Sequence, residues 1–108
     1  MKKVTKKQMA EFVRQAKRIL DSYSWVAVED SSYTHKLTTD FGDVLVRIDE
    51  DTSYCYSIYM CFENVEEAKK ELNCNPHTGK YNIHKYDMLE ALEMFENTLG
   101  FSGAVEAA

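Results

Sequence analysis

The spacing of apolar residues changes period twice along the chain. Met9, Phe12, Val13, Ala16, Ile19, Leu20 and Tyr23 recur at three- and four-residue intervals. That spacing lays a single apolar stripe along a 3.6-period helix. Thr5 is a suitable N-cap, Gln8 stands at the capping-box position, and Val4 with Met9 can close a hydrophobic staple. Lys7, Glu11, Arg14 and Arg18 fall on the opposite side. Ser22-Tyr23-Ser24 ends the helix.

From residue 25 the period is two. The alternation predicts strands over 25–28, 33–39, 44–49 and 54–62. The polar turns Glu29-Asp30-Ser31-Ser32, Asp40-Phe41-Gly42-Asp43 and Asp49-Glu50-Asp51-Thr52 separate them. In the longest strand Tyr54, Tyr56, Ile58, Met60 and Phe62 share a face apolar enough to lie against helices. Cys55, Ser57, Tyr59 and Cys61 share the other, which reads as partly solvated, as in an antiparallel sheet covered on one side.

The helical period then returns. Asn64 is an N-cap with Glu67 as its partner, Val65, Ala68 and Leu72 form a thin apolar edge, and Asn73 suits the C′ position. A last helix is predicted over 87–99, capped by Asp87 with Glu90 and stopped by Gly100. Its apolar residues Met88, Leu89, Ala91, Leu92, Met94, Phe95 and Leu99 spread over more than one face. Such a helix is either sandwiched inside the domain or half of a homodimer interface. The expected fold is therefore α+β in a single domain, 1–108. It has an N-terminal helix, an antiparallel β-meander of four to five strands, and two C-terminal helices packed on one sheet face. Residues 101–108 read as a flexible tail.

Composition adds a compartment and a charge asymmetry. Hydrophobic residues make up 44% and charged residues 29%, an ordinary globular balance. No apolar run approaches the ~20 residues of a membrane helix, and the basic N-terminus has no apolar signal core. An odd number of cysteines, Cys55, Cys61 and Cys74, fits reduced thiols better than a disulfide framework. These features predict a cytoplasmic protein without membrane partners. The net charge of −5 divides into +6 over residues 1–18 and −11 over the rest. A basic helix on an acidic body serves a nucleic-acid contact, docking on an acidic partner, or intramolecular compensation. Stacking aromatics are absent from the basic face of that helix, which counts against nucleic acid.

The stretch from Asn73 to His84 holds the only proline and two of the three histidines. Cys74-x-x-His77, with His84, offers zinc-ligand types, but no second matching pair completes a site, and no cofactor is assigned. Thr78-Gly79-Lys80 fails the phosphate-loop pattern on both sides, with Cys74 in place of its first glycine and Tyr81 after the lysine. Cys74 and His77 lack the other parts of a thiol-dependent catalytic site, so no catalytic residue is assigned. Asn75-Pro76-His77-Thr78 reads as a turn leading to Tyr81 and Ile83 in a short extended segment. Asn75, His77, Thr78 and Lys80 are then candidate binding residues. A second candidate group is the acidic turns, Asp40, Asp43, Asp49, Glu50 and Asp51, which can meet a basic protein groove or act as a solvated rim.

The run from Phe62 to Leu72, followed by Asn73-Cys-Asn-Pro-His-Thr-Gly-Lys-Tyr-Asn-Ile-His84, resembles small uncharacterised proteins of phages and other mobile elements. The resemblance implies a context, a short acidic protein that binds a host protein, as counter-defence proteins that block CRISPR or restriction systems do. The expected function is a non-enzymatic protein-binding module with a host or cognate protein as partner, dimeric through its last helix. The alternative is a small-molecule or nucleotide-binding protein, or a small enzyme, with its pocket at the 73–84 loop.

Overall fold

The computed structural model describes residues 3–29, 31–39, 42–51, 54–62, 65–72 and 74–101. Asp40 and the proposed caps Asn64 and Asn73 lie outside the described residues, as do the Glu67 side chain and the tail beyond residue 101.

Helix α1 (Lys6–Leu20) begins as its sequence dictates. The Thr5 hydroxyl accepts the Gln8 N–H at 3.1 Å, and Gln8 Oε1 accepts the Thr5 N–H at 2.9 Å. Two otherwise orphaned donors are thereby satisfied, and Val4 and Met9 are buried beside them. Met9, Phe12, Ala16 and Leu20 form the buried stripe.

The sheet is a five-stranded antiparallel meander in the order β1-β2-β3-β4-β5. Its strands are β1 (Trp25–Ala27), β2 (His35–Thr39), β3 (Gly42–Ile48), β4 (Tyr56–Cys61) and β5 (Lys80–Lys85). Helix α2 (Glu66–Glu71) interrupts the path between β4 and β5, and α3 (Met88–Phe101) closes the chain. The α3 cap forms as expected, with Asp87 Oδ2 accepting the Glu90 N–H at 3.1 Å.

Period-two alternation places Leu37, Val44, Val46, Tyr56, Ile58, Met60 and Ile83 on one buried face. Helix α3 packs on β4, β5 and α1. Phe12 of α1 meets Tyr56 of β4 with ring centroids 5.0 Å apart. Ala91, Leu92, Phe95 and Leu99 complete the core from the α3 side.

Four expectations are corrected. The two C-terminal helices are not consecutive, because β5 lies between α2 and α3 and pairs with β4 along six residues, from Tyr56↔Lys85 to Cys61↔Lys80. The short extended segment expected at Tyr81 and Ile83 is thus a full edge strand, the fifth of the four to five expected. Gly100 does not stop α3, which runs through it to Phe101. Tyr54 precedes β4 and is 54% exposed, although its parity assigned it to the core face. Ser57 and Cys61, on the face expected to be partly solvated, are buried.

His35 sits where β2 passes α1. Its ring lies 4.4 Å from that of Trp25, and burial pushes its pKa below the ordinary value, with Lys17 adding to the shift and Asp21 and Glu50 opposing it. The unfolded chain therefore binds a proton more readily than the folded one. This contribution is intact above about pH 6.5, the free histidine value, and is lost as pH falls from there through the lower folded value. The urea midpoint of the wild-type protein should drop relative to that of His35→Gln between pH 7.5 and 5.5, and parallel profiles for the two proteins would refute the assignment.

Candidate functional site

The segment 74–80 folds back on itself. Asn75 Oδ1 accepts the backbone N–H groups of His77 (2.9 Å) and Thr78 (3.1 Å). The Asn75 carbonyl accepts the Gly79 N–H at 2.8 Å, and its N–H donates to the Lys80 carbonyl at 3.1 Å. Gly79 closes the turn with φ of 72°, a left-handed value that glycine adopts without steric cost. The loop is then tied to the sheet by the Phe62 N–H, which donates to the Gly79 carbonyl, and by Cys61 Sγ, which contacts the Thr78 carbonyl at 3.3 Å. Asn75, His77, Thr78 and Lys80 are exposed on its outside.

The metal-ligand types separate. Cys74 is buried, His77 is exposed, and His84 lies on β5 with its Nδ1 bonded to Ser57. Among the described residues no group of three or more His, Cys, Asp or Glu side chains is gathered for a metal ion. Burial raises the Cys74 thiol pKa, Cys61 adds to the shift and Lys69 opposes it, so the thiol stays protonated at neutral pH and is a weak nucleophile.

The acidic turns separate too. Asp43 and Asp49 lie near opposite ends of β3, roughly 20 Å apart at the rise of an extended strand. Glu50 meets Lys17 of α1 at 3.6 Å, and Asp49 Oδ1 accepts the Asp51 N–H at 3.1 Å. Part of the basic helix is thus compensated within the molecule.

What the fold does bring together is a cluster on the sheet face opposite the helices. Registers align Arg47, Tyr59 and Asn82 in one row across β3, β4 and β5, and Ser57 with His84 in the next. The Arg47 guanidinium lies over the Tyr59 ring, 4.4 Å from its centroid. On the neighbouring strand the His84 ring meets Tyr59 edge-on at 5.5 Å. The Ser57 hydroxyl, 2.8 Å from His84 Nδ1, fixes that ring. A serine beside a histidine suggests a nucleophile and base, but Ser57 is only 3% exposed, which closes its hydroxyl to a substrate carbonyl. Its work is to orient the imidazole. Tyr33 flanks the cluster, its phenol pKa raised chiefly by burial, with Cys61 adding to the shift and Arg47 opposing it.

The sequence marks none of Arg47, Tyr59 and His84 as a binding residue, and offers His84 only as a metal-ligand type. The available signal was the alternation Lys80-x-Asn82-x-His84 beside Ser57-x-Tyr59-x-Cys61. It becomes informative only once the two segments are known to pair.

A groove of about 630 Å³ runs along α1, lined by Met9, Ala10 and Val13 and by charges of both signs, Lys6, Glu50 and Asp51 among them. None of its lining residues belongs to the 74–80 loop. No helix among the described residues is long and apolar enough to cross a membrane. No family model matches the chain, and no significant match was found among curated proteins or solved structures.

Proposed function

We propose that the chain is a non-enzymatic protein-binding module that engages its partner through the sheet face opposite the helices. The observation that carries this reading is the Arg47–Tyr59–His84 stack at the centre of that face. Tyrosine and arginine dominate the energetics of protein interfaces, because each adds contact area and directional bonds at low entropic cost once held in place. Here the neighbours hold them already. The acidic turns and the 74–80 loop are weaker candidates, since Glu50, Asp49 and Asn75 are occupied in intramolecular bonds. The resemblance of residues 62–84 to phage and mobile-element proteins supplies the context, a host protein such as a component of a defence system. A homodimer through α3 remains part of the proposal, because Leu89 projects from that helix 68% exposed.

The test is capture of a partner from a host extract, followed by titration of the purified pair. The double variant Arg47→Ala/Tyr59→Ala should lose affinity about 30-fold or more, the size of one interface hot spot. The variant Asp49→Asn/Glu50→Gln/Asp51→Asn should bind like the wild type. Full affinity in the double variant, with its circular dichroism unchanged, would refute this placement.

A further inference from the structure

We infer that the segment recognised by the open sheet face is an extended acidic stretch of the partner, bound through its carboxylates by Arg47, Lys36 and Lys80. The inference rests on the protein-binding reading above and adds the chemistry of what is bound.

Charge complementarity is its first support. The strand residues on this face include three cations, Lys36, Arg47 and Lys80, and one acid, Asp43. Over residues 19–108 there are six cations and seventeen acids, so the strands place half of the former and one of the latter on this face, with Asp49 following at the end of β3 beside Ser57. A cationic face on an otherwise acidic body selects an anionic occupant, and within a Debye length of about 8 Å the local charges dominate the net charge. Among the described residues, Lys36, Arg47 and Lys80 have no ion-pair partner.

Geometry then chooses carboxylates over stacked bases. Single-strand readers offer a bare aromatic ring to each base. Here the Tyr59 ring already carries the Arg47 guanidinium on its face and the His84 edge beside it. A guanidinium held over an aromatic ring still presents N–H groups at its edge, and these match a carboxylate in bidentate geometry.

The registers also set a spacing. Lys36, Leu45, Cys61 and Lys80 form one row across β2, β3, β4 and β5. The two lysines are therefore three strand spacings apart, roughly 14 Å at the usual interstrand distance. An extended chain covers that span in about four residues. Leu45, half-buried between them, offers an apolar contact to the middle of such a segment.

The probe is the capped peptide Gly-Glu-Thr-Val-Thr-Glu-Gly, titrated into the isotope-labelled full chain and followed by amide NMR. It should move the signals of Lys36, Leu45, Arg47, Tyr59 and Lys80. Its Gln-for-Glu counterpart, and Arg47→Met with the Glu peptide, should each bind about tenfold more weakly, the size expected for losing a charge-assisted hydrogen bond. Equal binding of the Glu and Gln peptides overturns the inference. So do signals unmoved by the Glu peptide, shifts confined to α1, tighter binding of oligothymidylate at the same residues, and a self-associated face that the peptide does not open. If the peptide fails while Arg47→Ala/Tyr59→Ala still abolishes capture of the partner, only the acidic-segment inference falls. If capture survives that variant, the protein-binding placement falls with it.

Discussion

Replacing Phe12 by alanine is expected to lower the unfolding free energy by about 3–5 kcal/mol, a large share of the roughly 5–15 kcal/mol that holds a small domain together. The ring is fully buried in the middle of the α1 stripe, and it meets Tyr56 at 5.0 Å with the planes tilted by 56°. Truncation removes the transfer energy of the ring, opens a cavity that α1, α3 and β4 all border, and deletes an aromatic pair worth about 0.5–1.5 kcal/mol beyond its area. The neighbours have little freedom to close in, because Ala16 and Leu20 on the same stripe and Phe95 in the same core cluster are each without exposed surface. Urea denaturation followed by circular dichroism measures the loss. Leu89→Ala is the matched control at an exposed helical site, with an expected change within about 0.5 kcal/mol. A Phe12→Ala loss of about 1 kcal/mol or less would mean that α1 is not seated on the sheet as described.

Much of this architecture was legible because it is locally encoded. The α1 boundary is written in Thr5 and Gln8, whose reciprocal bonds form as the capping-box spacing requires. The core face of β4 follows from alternation, and Tyr56, Ile58, Met60 and Phe62 are all buried. Tyr54 breaks the pattern because it precedes the paired part of the strand, where parity no longer fixes the direction of a side chain. The errors lie where pairing partners are distant in sequence. Strand β5 reads only as a short extended segment because Lys80, Asn82 and His84 face away from the core, and only Tyr81 and Ile83 signal a strand. The candidate site was less legible for the same reason. Arg47, Tyr59 and His84 are separated by up to 37 positions in the sequence, and only the strand registers place them in adjacent rows. Conversely, Asp43 and Asp49 look clustered in the sequence but are carried apart along β3.

The residue of the 73–84 stretch with the largest expected effect is Ile83, not His77 or Lys80. Ile83 stands directly across from Ile58, both without exposed surface, and it belongs to the core cluster with Phe95 of α3. Ile83→Ala should cost about 2–5 kcal/mol, since it leaves a cavity at the point where β5 and α3 share the core. His77→Ala at the turn and Lys80→Ala at the start of β5, both exposed, should change stability by about 0.5 kcal/mol or less. Asn75→Ala should fall between them at about 1 kcal/mol, because its side chain satisfies two backbone donors that water can still reach. The turn sets the register of an edge strand, and the strand then carries Lys80 and His84 to the open face while Ile83 anchors them. Equilibrium unfolding of the four variants would reveal that order. Equal losses at Ile83 and His77 would show that the loop, and not the strand, holds this end of the sheet. Lys80→Ala separates the two roles of the segment, since it should leave the unfolding midpoint in place while weakening the acidic peptide.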